Sequence, residues 1–354
     1  MRFRGSEPFT VGVELEAQIV DPFTLHLVPR SDEIFASISS PLLHKEFLRS
    51  MIEFVSSVHD HPASAVEEVK EVARRVVSLG REKGFFISAS GTHPFADPDS
   101  VRVTDDERYL KLLDEFQEVL RNFLIYGLHI HVGFPDEVSA VNAYNALVKF
   151  SPLFLALSAS SPFFKGRYTG LYSYRSKIFE QLPRAGIPQQ FRSFEEFSEL
   201  FNLLKETGVV ESLKDIWWDV RIRPDFGTVE LRVCDSTSDF NRVLALAFLA
   251  VVVGELFMEG GVVPEFHQLH LQNKWYAARY GLNATFIDRN GRKKVGSVIL
   301  SLIESYRRRF NRFTSELKLL ESYLSKPTHA EVQFAAFSSS GDLREAVRSS
   351  LLEV

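Results

Sequence analysis

Four stretches of the sequence alternate apolar residues with residues that bind cations or phosphate. Glu14, Glu16 and Gln18 alternate with Val13, Leu15, Ala17 and Ile19, and His129 and His131 with Leu128, Ile130 and Val132. Asp219, Arg221 and Arg223 alternate with Val220 and Ile222, and Glu230 and Arg232 with Val229, Leu231 and Val233. Successive residues of a β-strand face opposite sides of its sheet. Each stretch therefore reads as a strand with one apolar face and one face of Glu, His and Arg. A solvated face of an antiparallel sheet gives the same alternation. Such faces use Thr, Ser and Lys freely, however, and no Lys stands at these positions. The combination points to a functional sheet face.

Carboxylates with histidine suit a hard or borderline cation, most simply Mg2+ or Mn2+. Residues two apart on a strand are separated by about 7 Å, so Glu14 and Glu16 can serve two neighbouring ions. Guanidinium groups beside such ions match phosphoryl oxygens, and the set as a whole suggests phosphoryl transfer from a nucleotide. The chain has no G-x-x-x-x-G-K-[ST] and no G-x-G-x-x-G after a strand. That disfavours a P-loop or Rossmann site and leaves the phosphates to metals and side chains.

Strands over 9–20, 51–58, 85–90, 124–134, 217–223 and 228–234 are needed to position these residues. Helices are predicted over 65–83, 105–123, 140–159 (with a candidate break at Pro152), 241–258 and 295–324. Ser64 with Glu67 gives the first of them a capping-box start. Residues 160–190, rich in Gly, Pro, Tyr and Ser, are too many for an ordinary connection and read as a functional loop. Strands and helices mix without a βαβ rhythm, which implies an α+β fold with an antiparallel sheet. No linker or repeat divides the 354 residues, so a single domain over 1–354 is expected.

The net charge of −5 gives no global basic surface, and no nucleic-acid partner is expected. Cys234 is the single cysteine, which rules out a disulfide within the chain and suits a reducing cytoplasm. Residues 1–7 lack the apolar core of a secretory signal. The longest apolar run, Val243 to Gly254, falls short of the roughly 20 residues of a membrane span and reads as a buried helix.

Seven motifs in register carry a resemblance. They are Val11-Gly12-Val13-Glu14-Leu15-Glu16, Gly91-Thr92-His93-Pro94, His129-Ile130-His131-Val132-Gly133, Leu157-Ser158-Ala159-Ser160-Ser161-Pro162, Trp218-Asp219-Val220-Arg221, Phe226-Gly227-Thr228-Val229-Glu230-Leu231-Arg232-Val233 and Ala278-Arg279-Tyr280-Gly281-Leu282. Over nearly the whole chain the sequence resembles the carboxylate–amine ligase (YbdK-like) family of the glutamate–cysteine ligase type 2 group. The resemblance implies a glutamine synthetase-like fold. In that fold a curved antiparallel sheet carries metals and ATP on its polar face, with helices on the other. It also implies an ATP-dependent ligase, weakly active as a glutamate–cysteine ligase, that works on small molecules as a homodimer.

By the same resemblance Glu14, Glu16, Glu53, His129 and Glu230 are metal ligands. Arg232 acts on the transferred phosphate with Glu230, and His131 lies beside substrate or phosphate. The segment after Glu53, Phe54-Val55-Ser56-Ser57-Val58, departs from the Thr/Gly pattern of the family. Other residues keep two readings each. Arg175 and His93 are candidates for substrate contacts or for loop structure, and Arg221 and Arg279 for ATP contacts or for structural pairs and caps. His59 and His61 read as surface residues. Cys234 continues the face of Glu230 and Arg232, but without an activating base it reads as packing. Two alternatives to the ligase remain: a kinase of the same fold group, phosphorylating a guanidino or carboxylate metabolite, and a non-catalytic metal-binding relative. The amine acceptor is not fixed by the sequence.

Overall fold

The computed structural model describes residues 1–310 and 312–354. Its main sheet has seven strands: β1 (Val11–Val20), β2 (Leu43–Lys45), β3 (Met51–Val55), β4 (Phe86–Ser88), β5 (Gly127–Gly133), β6 (Val220–Arg223) and β7 (Thr228–Asp235). Their order is β6-β7-β5-β1-β3-β2, with β4 beside the far end of β1, and every pairing is antiparallel. The helices that matter below are α1 (Pro62–Lys83), α2 (Glu107–Arg121), α3 (Glu137–Ser158), α4 (Arg175–Phe179), α5 (Phe240–Phe257), α6 (His267–Tyr280), α7 (Val295–Phe310) and α8 (Thr314–Tyr323).

The apolar alternation decides which face the helices cover. Val13, Leu15, Ala17 and Ile19 of β1, Leu128, Ile130 and Val132 of β5, and Val229 and Leu231 of β7 are fully buried in one core with α1, α3 and α5. Burying such a side chain stabilises the fold by about 1.5–3 kcal/mol, so a one-residue slip of any of these strands would be prohibitive. α3 and α5 are long and apolar enough to span a membrane, but 89% and 72% of their apolar windows are buried inside the protein. They form the centre of the core.

The structure corrects the sequence expectations at several points. α3 runs unbroken through Pro152. Proline cannot donate to the carbonyl four residues back, and here the Ser151 hydroxyl donates to that Val148 carbonyl instead, at 3.0 Å. The helix expected over 295–324 is two helices, α7 and α8. Residue 311, within that span, lies outside the described residues, and Phe313 takes a left-handed φ of 59° just before α8. α1 starts at Pro62 rather than after Ser64, because His61 caps it by accepting from the Ala63 amide at 3.1 Å. β3 stops at Val55, and the next residue, Ser56, uses its hydroxyl to accept from the Val13 amide at 3.0 Å. Helix α6, strand β2 and a helix over Phe194–Glu206 had no counterpart in the sequence reading.

One irregularity matters for function. Leu231 of β7 faces Ile130 of β5, but Cys234 faces Leu128, so three steps of β7 match two of β5. This bulge reverses the alternation beyond Arg232. Cys234 therefore does not continue the polar face: it lies fully buried in the apolar core, and burial pushes its thiol up to about 12. Asp235 takes the polar side in its place.

Candidate active site

Register brings the polar residues together. Glu14 of β1 sits opposite His129 of β5 on one side and Val55 of β3 on the other. Glu16 sits opposite Glu53, Glu230 of β7 opposite His131, and Arg221 of β6 opposite Glu230. Cross-strand partners lie within side-chain reach of each other, so five strands supply one continuous cluster.

Glu14 Oε2 lies 2.9 Å from His129 Nδ1, and Glu14 Oε1 lies 3.1 Å from His131 Nε2. His131 Nδ1 is in turn 3.1 Å from the Thr228 hydroxyl. Two sets, Glu14–His129–Glu230 and Glu16–Glu53–His129, each offer three ligand atoms within 4.8 Å of one another. They share His129. Oxygen donors with one imidazole suit Mg2+ or Mn2+, and the shared histidine would place two ions side by side.

The charges around these sets are uneven. Glu230 has no exposed surface, and it accepts from Arg221 Nε at 2.9 Å and Nη2 at 2.7 Å, and from Arg232 Nη1. Arg223 Nη1 is 3.5 Å away. Burial alone would raise the proton affinity of Glu230, but Arg221 and Arg232 overcome it and hold the carboxyl far below its usual range. Glu53 behaves in the opposite way. Burial, reinforced by Glu14, Glu46 and Glu16, holds it well above the usual carboxylate range. Glu46 is pushed up to about 8, by desolvation first and Glu16 second. Desolvation, the largest influence on Glu14, raises it, but the hydrogen bonds and charge interactions with His129 and His131 together pull it well below its usual value. An excess of carboxylates that must either hold protons or meet a cation fits a divalent metal.

A cavity of about 330 Å³ opens on this cluster. Glu14, Glu16, Glu46, Glu53, His129 and Arg232 form its polar floor, and Tyr109 and Leu112 of α2, with Phe179 and Trp217, form part of an apolar wall. Arg175 also lines it, brought there by the 160–190 segment, which holds only a two-residue ribbon (Phe163–Phe164 with Arg167–Tyr168) and the short α4 before Ala185.

Not every candidate residue comes to this place. His93 is fully buried away from the cavity, with Nε2 2.8 Å from the Leu25 carbonyl and Nδ1 accepting from the Ala96 amide at 3.0 Å. Burial brings its pKa down to about 4. Arg279 lies at the end of α6, over the Tyr280 ring, and does not line the cavity. Arg221 lines the cavity, but all its nitrogens are engaged within the protein: two on Glu230 and Nη1 on the Leu213 and Ile216 carbonyls, both at 2.9 Å. His59 and His61 are half-buried and lie 2.8 Å and 3.3 Å from Glu68 and Glu316.

Some residues with evident roles gave no sequence signal. Glu46 and Tyr109 come from segments without strand alternation, Trp217 opens the strand predicted over 217–223, and the three meet only in the folded cavity. Lys274 of α6 is buried between Asp219, at 2.6 Å, and Glu180, at 2.8 Å.

The fold is of the glutamine synthetase-like class. The solved glutamate–cysteine ligase of Francisella tularensis in complex with AMP superposes with a TM-score of 0.74 over 99% of this chain and 89% of that one, at 12% identity. A bifunctional glutathione synthetase from Pasteurella multocida matches with a TM-score of 0.68 over 97% of this chain and 52% of that one, at 14% identity. The chain belongs to glutamate–cysteine ligase family 2, whose signature matches residues 10–348. Among its relatives, the "Putative glutamate--cysteine ligase 2" of Gloeobacter violaceus is 38% identical over 81% of this chain and 80% of the relative. The protein of the same description from Herpetosiphon aurantiacus is 34% identical over 96% and 91%.

Proposed function

We propose that this chain, as one catalytic domain, is an ATP-dependent carboxylate–amine ligase that joins glutamate to cysteine through an acyl phosphate, working as a cytoplasmic homodimer. The carrying observation is the pair of three-ligand sets that share His129 beside Arg232. In the first step a carboxylate oxygen attacks the γ-phosphorus of ATP and ADP leaves. In the second, the amine nitrogen attacks the acyl carbon, phosphate leaves with the acyl oxygen, and the nitrogen gives up its proton.

Glu14, Glu16, Glu53, His129 and Glu230 would hold Mg2+ or Mn2+, which supplies positive charge against the phosphate oxygens. Arg232 is held by Glu230 and lines the cavity with Nη1 3.5 Å from His129 Nδ1, so it is the guanidinium best placed to meet the transferred phosphoryl group. Arg221, fully engaged with Glu230, acts by fixing that carboxylate. His131, between Glu14 and Thr228, orients Glu14. Arg175 lines the same cavity and receives a substrate carboxylate.

The test is ADP release with Mg2+ or Mn2+ and a panel of amino acids, alone and in pairs, with products identified by mass spectrometry. Glutamate with cysteine is expected to give ADP, phosphate and the dipeptide. A stable phosphorylated acid in place of an amide would turn the assignment to a kinase.

A further inference from the structure

Arg175 opens α4 and is 3% exposed, yet among the described residues none of its nitrogens is in ion-pair contact with a carboxylate. Its guanidinium has two long contacts to backbone carbonyls, Val233 at 3.4 Å and Arg232 at 3.3 Å, and stacks 5.5 Å from the Phe179 ring centre. A buried cation normally needs a fixed anion close by. One buried carboxylate that feels its charge is Asp235, the residue that the bulge in β7 turns to the polar side.

Asp235 is fully buried and accepts three hydrogen bonds from the segment leading into α4. Ser160 donates its amide at 3.0 Å, Ser161 its hydroxyl at 2.7 Å and Ser173 its hydroxyl at 2.8 Å. The Ser161 hydroxyl oxygen also accepts from the Arg175 amide at 3.1 Å. One carboxylate thus ties both ends of the 160–175 loop to the sheet and reaches the first residue of α4 through a single hydroxyl. Burial raises the proton affinity of Asp235, and the charge of Arg175 is the largest influence opposing it. The far end of α4 is fixed separately, by Glu180 on Lys274.

Two glycines make room for this pair. A Cβ on Gly91 would come within 2.6 Å of the Asp235 carboxyl carbon. A Cβ on Gly127, which faces Asp235 across the ladder, would collide with Arg175 Nη2. The sheet is therefore cut away under the carboxylate and under the guanidinium.

We propose that Asp235 is a positioning residue for substrate recognition: through Ser161 and Ser173 it sets the loop and aims the Arg175 guanidinium into the cavity, where that group receives a carboxylate of the amino-acid substrate. The inference rests on the ligase reading above. It makes Asp235 a determinant of substrate KM and leaves ATP binding and the chemical step to the Glu230–Arg232 cluster.

The experiment measures ADP release, varying each amino acid and ATP in turn, for the wild type, Asp235→Asn and Gly127→Ala. Asp235→Asn keeps the shape and removes the charge. Its expected effect is a rise in KM for one amino-acid substrate of at least about tenfold, the loss that goes with a misplaced hydrogen bond to a charged group. KM for ATP and kcat should stay within about threefold. Gly127→Ala leaves Asp235 intact, crowds the Arg175 guanidinium most and His129 Nε2 next, at 3.0 Å, and should raise the same KM, with any fall in kcat assigned to the His129 contact. If Asp235→Asn does not fold, Ser173→Ala decides, with a smaller rise in the same KM. Unchanged amino-acid KM values in these variants, or a uniform loss of kcat and both affinities with a lowered melting midpoint, would overturn the inference while the ligase reading stands. No ADP release from the wild type with any pair would instead overturn the ligase reading, and this inference with it.

Discussion

Around Glu230 three guanidinium groups meet one carboxylate, whereas at the other end of the same polar face Glu14, Glu16 and Glu53 surround one histidine ring and Glu46 adds its charge beside them. The first end is neutralised by the chain itself, and its central carboxylate stays ionised. The second end is not, and two of its carboxylates are held toward the protonated form. A folded chain tolerates such an excess where an external cation completes it. Under the proposed function this contrast would divide the labour, with the arginine end for phosphate and the acidic end for metal.

The largest expected effect comes from breaking the compensated end. Glu230→Ala leaves Arg221, Arg223 and Arg232 without their shared anion, and the cost expected for such an uncompensated buried charge is about 3–5 kcal/mol. Urea unfolding of the metal-free protein measures it, and a loss under 1 kcal/mol would mean that the cluster is looser than described. Arg232→Met comes next. It should lower kcat for ADP release by about 100-fold or more with a much smaller change in stability. Equal turnover in variant and wild type would remove Arg232 from the phosphoryl step.

The acidic end should respond in the opposite sense. Mg2+ or Mn2+ is expected to raise the melting midpoint of the wild type, by the equivalent of about 2.7 kcal/mol at a hundredfold excess over Kd. Glu53→Gln should lose most of that shift while remaining as stable as the wild type without metal. The pH dependence sharpens the point. Glu46 has a folded value of about 8, above its ordinary 4.5. Its contribution to stability is therefore complete below 4.5 and disappears as pH rises through 8. Metal-free Glu46→Gln should melt above the wild type at pH 8, and the gap should close toward pH 4.5. A gap that widens on acidification would reverse the assigned sign.

Cys234 should show the smallest effect, although it is two residues from Arg232. On the core side of the bulge, Cys234→Ala removes one small buried group and should cost about 1 kcal/mol, with kcat unchanged. The thiol, pushed up to about 12, should resist labelling by a thiol reagent until the protein is unfolded in urea. Rapid labelling of the native protein would place it on the polar face after all.

Much of the site was legible because strand alternation is a local property. Glu14, Glu16, His129, His131, Glu230 and Arg232 could be assigned to one face from period two alone, and the structure brings all of them to one cluster. The limit of that rule is also visible in β7. Alternation extended past Arg232 puts Cys234 on the polar face, and a single extra residue reverses it. No local pattern announces a bulge. Pro152 shows the same limit in a helix: the proline suggested a break, and the hydroxyl of Ser151 removed the reason for one.

The sequence by itself determined which residue types share a face, that the fold is α+β with an antiparallel sheet, and that the apolar faces must be covered by helices. Each of these follows from periods of two or 3.6 residues and from the cost of exposing apolar surface. Only the tertiary structure decided that Glu46 joins the acids, that Arg221 has no nitrogen left for a ligand, that His93 is sealed in a turn, and that Asp235 rather than Cys234 meets the loop carrying Arg175. These depend on register, on a bulge and on contacts between residues far apart in the chain, such as Gly91 and Gly127 with Asp235. Such contacts form only when the chain has closed on itself, and no spacing along it records them.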